Sequence, residues 1–152
     1  MQKILSFTVN HNNLNRGVYI SRIDGDIITY DIRAKIPNGG DYLANPAMHT
    51  IEHIFATYVR NSEYKDSVIY FGPMGCRTGF YLLLRDNVSY EKALNLIKSA
   101  FGFIADFSGE IPGNKKQECG NYLEHDLQSA KLEADEMCRV LADFSVADME
   151  YK

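Results

Sequence analysis

Two histidines four residues apart with a glutamate between them, in His49-Thr50-Ile51-Glu52-His53, form the stretch richest in possible chemistry. Imidazoles at i and i+4 of a helix lie roughly 6 Å apart along its axis, and both can reach one divalent ion at about 2.0 to 2.1 Å. Glu52 shares their face, because positions 49, 52, 53, 56 and 60 fall in one sector when each residue advances by about 100°. It could serve as a base beside the ion, as in the inverted zinc motif H-x-x-E-H. The competing reading is a solvated polar face with Glu52 paired to Arg60 or Lys65. What the motif lacks is a third ligand.

The cysteines offer one. Cys119 lies in Glu118-Cys119-Gly120, ahead of a helical pattern, and its thiolate would complete a His, His, Cys set. Three protein ligands leave a tetrahedral ion one open position, which suits catalysis better than a closed structural site. Cys76 lies in Gly72-Pro73-Met74-Gly75-Cys76-Arg77, a sharp connection in which Arg77 could favour the thiolate. Its plainer reading is a small buried hydrophobe. Cys138, among Met137, Val140 and Leu141 in a helical pattern, reads as core. Three cysteines, an odd number, suit a reducing compartment better than a disulfide framework.

These groups must be held by the elements around them. Residues 5 to 9, 18 to 23 and 27 to 36 are rich in β-branched and aromatic residues, and Asp24-Gly25-Asp26 predicts a hairpin between the last two. In 27 to 36, Ile28, Tyr30, Ile32, Ala34 and Ile36 alternate with Thr29, Asp31, Arg33 and Lys35, which puts Arg33 on the polar face. Asn45-Pro46 predicts an N-cap and a proline-started helix to about Arg60, with Met48, Ile51, Ile54, Phe55, Tyr58 and Val59 turned to the core. Residues 67 to 71 and 78 to 85 are expected strands; 89 to 105 and 120 to 143 carry helical spacing. Strands and helices mix without a βαβ rhythm, so the expected class is α+β, a largely antiparallel sheet packed with helices.

The 152 residues fit a single domain, 1–152, able to bury a core without staples. A hydrophobic fraction of 45%, with 10 tyrosines and 8 phenylalanines, excludes a disordered chain. The net charge of -4 and the absence of any Lys/Arg cluster argue against nucleic acid or a membrane surface as partner and leave a small molecule. No stretch reads as a signal peptide or a membrane span, so a cytoplasmic location is expected.

Taken together, "SFTVNHN" at 6 to 12, "YDIR" at 30 to 33, "HTIEH" at 49 to 53, "GPMGCRTGFYL" at 72 to 82 and "ECGNYLEHDL" at 118 to 127 resemble the S-ribosylhomocysteine lyase (LuxS) family in order and approximate spacing. The resemblance covers nearly the whole chain. It implies a LuxS/metallopeptidase-like fold, a homodimer with its pocket at the subunit interface, and one divalent metal per subunit, Fe(II) or Zn(II), held by His49, His53 and Cys119. It further implies Glu52 and Cys76 as the acid/base pair, and Ser6, His11 and Arg33 as residues lining the substrate pocket. The implied reaction cleaves S-ribosylhomocysteine to homocysteine and 4,5-dihydroxy-2,3-pentanedione, the autoinducer-2 precursor used in quorum sensing, by metal-assisted carbonyl migration and β-elimination. The chain departs from many members in reading Tyr70-Phe71-Gly72 where they carry an acid and a serine, so no role of that acid carries over.

Two rivals remain at this level. One is a metallopeptidase of the H-x-x-E-H type, with Glu52 activating water, for which Cys76 would have no task. The other is a non-enzymatic zinc module closed by His125, which would leave both Glu52 and Cys76 unused.

Overall fold

Asp24-Gly25-Asp26 turns the chain as expected: β1 (Gly17–Asp24) and β2 (Ile27–Arg33) pair antiparallel, with Gly25 in the left-handed region at φ 60°. The computed structural model describes residues 1–152. After β2 come α1 (Asn45–Arg60), β3 (Val68–Pro73), β4 (Gly79–Arg85), α2 (Tyr90–Ala105) and α3 (Leu127–Leu141). The sheet order is β1-β2-β4-β3 and every pair is antiparallel, which makes the class α+β. No helix is long and apolar enough to cross a membrane.

The registers explain where the core sits. Ile28, Tyr30 and Ile32 of β2 stand opposite Leu84, Leu82 and Phe80 of β4, so six large side chains share one sheet face. Ile51, Ile54, Phe55 and Val59 of α1, with Ile97, Phe101 and Ile104 of α2, join them in one buried cluster. Each such side chain contributes about 1.5 to 3 kcal/mol on burial. This packing fixes the rotation of α1 and therefore the side on which His49, Glu52 and His53 emerge.

The second sheet face is covered by the two ends of the chain. Asp31 and Arg33, on the polar side of β2 as expected, are only 2% exposed. Tyr151 reaches them from the C-terminus, and its hydroxyl donates to Asp31 Oδ2 at 2.7 Å. Burial, then the charge of Asp31, holds the Tyr151 phenol well above the ordinary tyrosine range, so it remains a donor. The outer edge of β1 is met by the same segment, where Ile20 N–H donates to Met149 C=O at 2.8 Å.

Four expectations are corrected. Residues 5 to 9 form no strand; Leu5–Phe7 is a 3₁₀ turn with Leu5 and Phe7 exposed, because no strand lies beside it to pair with. The second strand ends at Arg33 rather than 36, and Ile36 is exposed. Ala44, not Asn45, is the N-cap of α1, so Asn45 is already helical. The last helix begins at Leu127 under an Asp126 cap, and 120 to 126 is a looped segment.

Candidate active site: a metal cluster and a thiol pocket

His49 and His53 project from one face of α1 towards two loops that orient them. His49 Nδ1 lies 2.8 Å from the Glu124 carbonyl, and His53 Nδ1 lies 2.8 Å from the Pro112 carbonyl. A carbonyl only accepts, so each ring carries its proton on Nδ1 and turns a bare Nε2 the other way. Gly113 permits the second contact: it adopts φ +69°, and a Cβ there would press on His53 Nδ1 at 3.3 Å. The looped form of 120 to 126 serves the first, since within a helix the Glu124 carbonyl would be taken by the amide four residues on.

Cys119 supplies the third donor. Its sulfur lies 3.4 Å from His49 Nε2 and 3.8 Å from His53 Nε2. Nitrogen and sulfur bound to one tetrahedral zinc at about 2.05 and 2.3 Å would stand about 3.6 Å apart, so the donor set fits a single divalent ion. The half-buried cluster also includes His125, and the ligand-capable atoms of all four residues lie within 4.8 Å of one another. Burial, then the neighbouring imidazoles of His49 and His53, pushes His125 down to about 4, so the ring is neutral near pH 7.

Glu52 is half-buried beside His53, and its carboxylate makes no hydrogen bond or ion pair. Neither Arg60 nor Lys65 engages it; Arg60 instead donates to the carbonyls of Val68 and Ile69. Cys76 is exposed on the β3–β4 connection, where Arg77 takes the left-handed φ of 59°. The turn is pinned on both sides: Arg77 N–H donates to Met74 C=O at 3.0 Å, and Leu43 N–H donates to Arg77 C=O at 2.9 Å. Arg77 extends over the Tyr42 ring, whereas the cation nearest Cys76 by hydrogen bonding is Arg33.

Ser6, His11, Arg33 and Cys76 line one cavity of about 380 Å³, together with Asp31, Tyr81 and Tyr151. Arg33 is anchored there by a paired contact to Asp31, Nε to Oδ1 at 3.1 Å and Nη2 to Oδ2 at 2.6 Å. Its Nη1 donates to Thr78 Oγ1 at 2.7 Å, and that hydroxyl lies 3.0 Å from Cys76 Sγ. None of His49, His53 and Cys119 lines this cavity. Asp31, Thr78 and Tyr151 were not singled out in the sequence. Asp31 was visible two residues before Arg33 on the same strand face, whereas nothing local marks Tyr151, which arrives from 120 positions away.

Residues 4–146 match the family model described as S-Ribosylhomocysteinase (LuxS). The chain belongs to the LuxS family. It is 46% identical over 153 residues to a Porphyromonas gingivalis protein named S-ribosylhomocysteine lyase, covering 97% of this chain and 96% of the relative. Proteins of the same name from Borreliella afzelii and Clostridium acetobutylicum are 46% and 44% identical over 156 residues, each at 99% of both chains. In Tyr70-Phe71-Gly72, Tyr70 folds back across Gly72, and its hydroxyl occupies the space a Cβ would need.

Proposed function

We infer that this LuxS-family chain is an S-ribosylhomocysteine lyase, a metal-dependent carbon–sulfur lyase. The observation that carries the reading is the convergence of His49 Nε2, His53 Nε2 and Cys119 Sγ at spacings that suit one ion, in a chain similar along nearly its whole length to lyases. His49, His53 and Cys119 would hold a divalent ion, Fe(II) or Zn(II), which would supply Lewis acidity for the carbonyl chemistry. His, His, Cys sets accept several metals, so availability decides between them.

The protein's own groups handle the protons. Moving a ribose carbonyl from C1 to C3 requires a proton to leave the carbon beside the carbonyl and return to its neighbour, twice, before β-elimination expels homocysteine. Cys76 is the exchanging base at carbon. Thr78 Oγ1 accepts from Arg33 Nη1 and lies 3.0 Å from Cys76 Sγ, so its hydroxyl proton is placed to be donated to a thiolate there. Glu52, free of partners, moves protons at the sugar oxygens. Ser6 and His11 line the thiol cavity and contact the substrate; Arg33 acts there through Thr78 as a positioning residue.

The active unit in this reading is a homodimer. The thiol cavity contains no metal donor, and Ile4, Leu5 and Phe7 leave apolar surface next to it, with Phe7 69% exposed. A second copy bringing its own His49, His53 and Cys119 to this cavity would complete the site and cover that surface. The product would be the autoinducer-2 precursor, formed in the cytoplasm. Incubation with S-ribosylhomocysteine followed by a free-thiol assay tests the activity: homocysteine should appear one for one with substrate lost. A chain that cleaves peptides and leaves this substrate intact would be a metallopeptidase instead.

A further inference from the structure

His125 is the third imidazole of the metal cluster, stacked on His49 with ring centroids 4.0 Å apart and planes 20° apart. Proximity alone does not separate a ligand from a hydrogen-bond donor. The location of the ring proton does.

That proton can be traced. Asp126 N–H donates to Thr50 Oγ1 at 3.0 Å, and the only other partner of this hydroxyl is His125 Nδ1, also at 3.0 Å. Thr50 is fully buried, so its proton has no water to turn to. With no other acceptor in reach, the buried Thr50 hydroxyl satisfies its own proton only by donating to His125 Nδ1. With Nδ1 accepting, the His125 ring holds its own proton on Nε2, the reverse of His49 and His53, whose Nδ1 atoms face carbonyls. His125 Nε2 is buried and has no partner, and the hydrogen-bonding contacts of Cys119 Sγ are with His49 and His53 alone.

We propose that His125 is not a fourth metal ligand but a hydrogen-bond donor, its Nε2–H holding a substrate oxygen at the side of the cluster that His49, His53 and Cys119 leave open. The identity of that oxygen, on the migrating carbonyl, rests on the lyase reading above; the donor assignment does not. Because this oxygen gains negative charge as the neighbouring carbon loses its proton, the hydrogen bond strengthens on the way to the transition state. A protonated Nε2 also has no lone pair to offer, so three donors hold the ion and the fourth position remains available to substrate. The closed zinc module is disfavoured on the same ground.

The test is a long-range ¹H–¹⁵N correlation spectrum of the ¹⁵N-labelled, zinc-loaded protein. His125 should show a protonated Nε2 and a bare Nδ1, with His49 and His53 showing the opposite pattern and metal-shifted Nε2 signals. A metal-shifted Nε2 on His125 would overturn the proposal. Thr50→Val should let the His125 proton populate Nδ1, and Thr50→Ser should keep it on Nε2; an unchanged tautomer in Thr50→Val would also overturn it. His125→Ala should retain one metal per chain while kcat falls about 10²- to 10³-fold, with KM changing less and His125→Gln recovering part of the loss. Loss of metal from a folded His125→Ala protein, or turnover within twofold of the parent, counts against it. The nitrogen spectra decide the donor assignment whether or not the parent protein releases thiol, so failure of the lyase reading is seen separately.

Discussion

Thr78 Oγ1 lies 3.0 Å from Cys76 Sγ while accepting from Arg33 at 2.7 Å, so one hydroxyl carries the influence of a buried cation to an exposed sulfur. Thr78→Val keeps the shape and removes the link. Alkylation of Cys76 by iodoacetamide at neutral pH should slow several-fold, and Thr78→Ser should restore it. The valine also strands Arg33 Nη1 in a buried setting, which should cost about 1 to 3 kcal/mol in denaturant unfolding. Unchanged alkylation in a folded Thr78→Val protein would remove Thr78 from the catalytic account.

Cys119→Ala should lose the bound metal and, with it, turnover, because two imidazoles alone hold a divalent ion weakly. Cys138→Ala should keep both. Cys138 is half-buried on α3 against the core, and burial, then Asp135, pushes its thiol up. Elemental analysis of protein purified without oxygen gives the answer directly. Retention of metal by Cys119→Ala would withdraw the ligand assignment.

Glu52→Gln and Cys76→Ala should each retain near-parental metal, since neither belongs to the donor cluster. Thiol release from S-ribosylhomocysteine should fall by about 10² to 10⁴ in each, the usual contribution of a positioned acid or base. A peptidase would tolerate Cys76→Ala. Metal loss in both variants would recast the two residues as supports of the cluster.

How far these groups could be read from sequence follows from where their constraints lie. The helix α1 was legible because its apolar stripe and its proline both act within a few residues, and that stripe alone fixes where His49 and His53 emerge. The hairpin at Gly25 was legible for the same reason. The apolar character of Leu5 and Phe7 suggested a strand, but a strand needs a neighbour to pair with, and these residues found none. The start of α3 was misplaced because Glu124 and His125 suit a helix locally, while their backbone and ring are used by His49 and Thr50, 75 positions away. His49, His53 and Cys119 were visible as a motif plus one cysteine; the positions of the ring protons were not, since they depend on carbonyl and hydroxyl partners brought in by the fold.

Asp126 ties helix stability to this same corner. Its carboxylate caps α3, accepting from Ser129 N–H at 3.0 Å and from the Ser129 hydroxyl at 2.7 Å. These bonds, the backbone one first, hold its carboxyl below the ordinary value of 3.8. A depressed carboxyl stabilises the fold above the unfolded-state value and loses that contribution as pH falls through the folded one. Asp126→Ala should therefore lower unfolding free energy by about 1 kcal/mol at pH 7, with the difference from the parent shrinking below pH 3.8. Urea unfolding at several pH values measures it, and a difference that grew on acidification would rule out the cap as its source.

The dimer reading makes the most demanding prediction, because it assigns the two halves of one site to different chains. Cys76→Ala and Cys119→Ala should each be inactive alone. If the thiol cavity of one subunit works with the metal cluster of its partner, a hybrid dimer of the two variants contains one site with both defects and one with neither. Random pairing of equal amounts makes half the dimers hybrids, so coexpression should restore about a quarter of parental thiol release. A site built within one chain would place a defect in every site, and the mixture would stay inactive. Sedimentation of the coexpressed protein at assay concentration should show two chains per particle; an active monomer, or no recovery from verified hybrids, would refute the shared site.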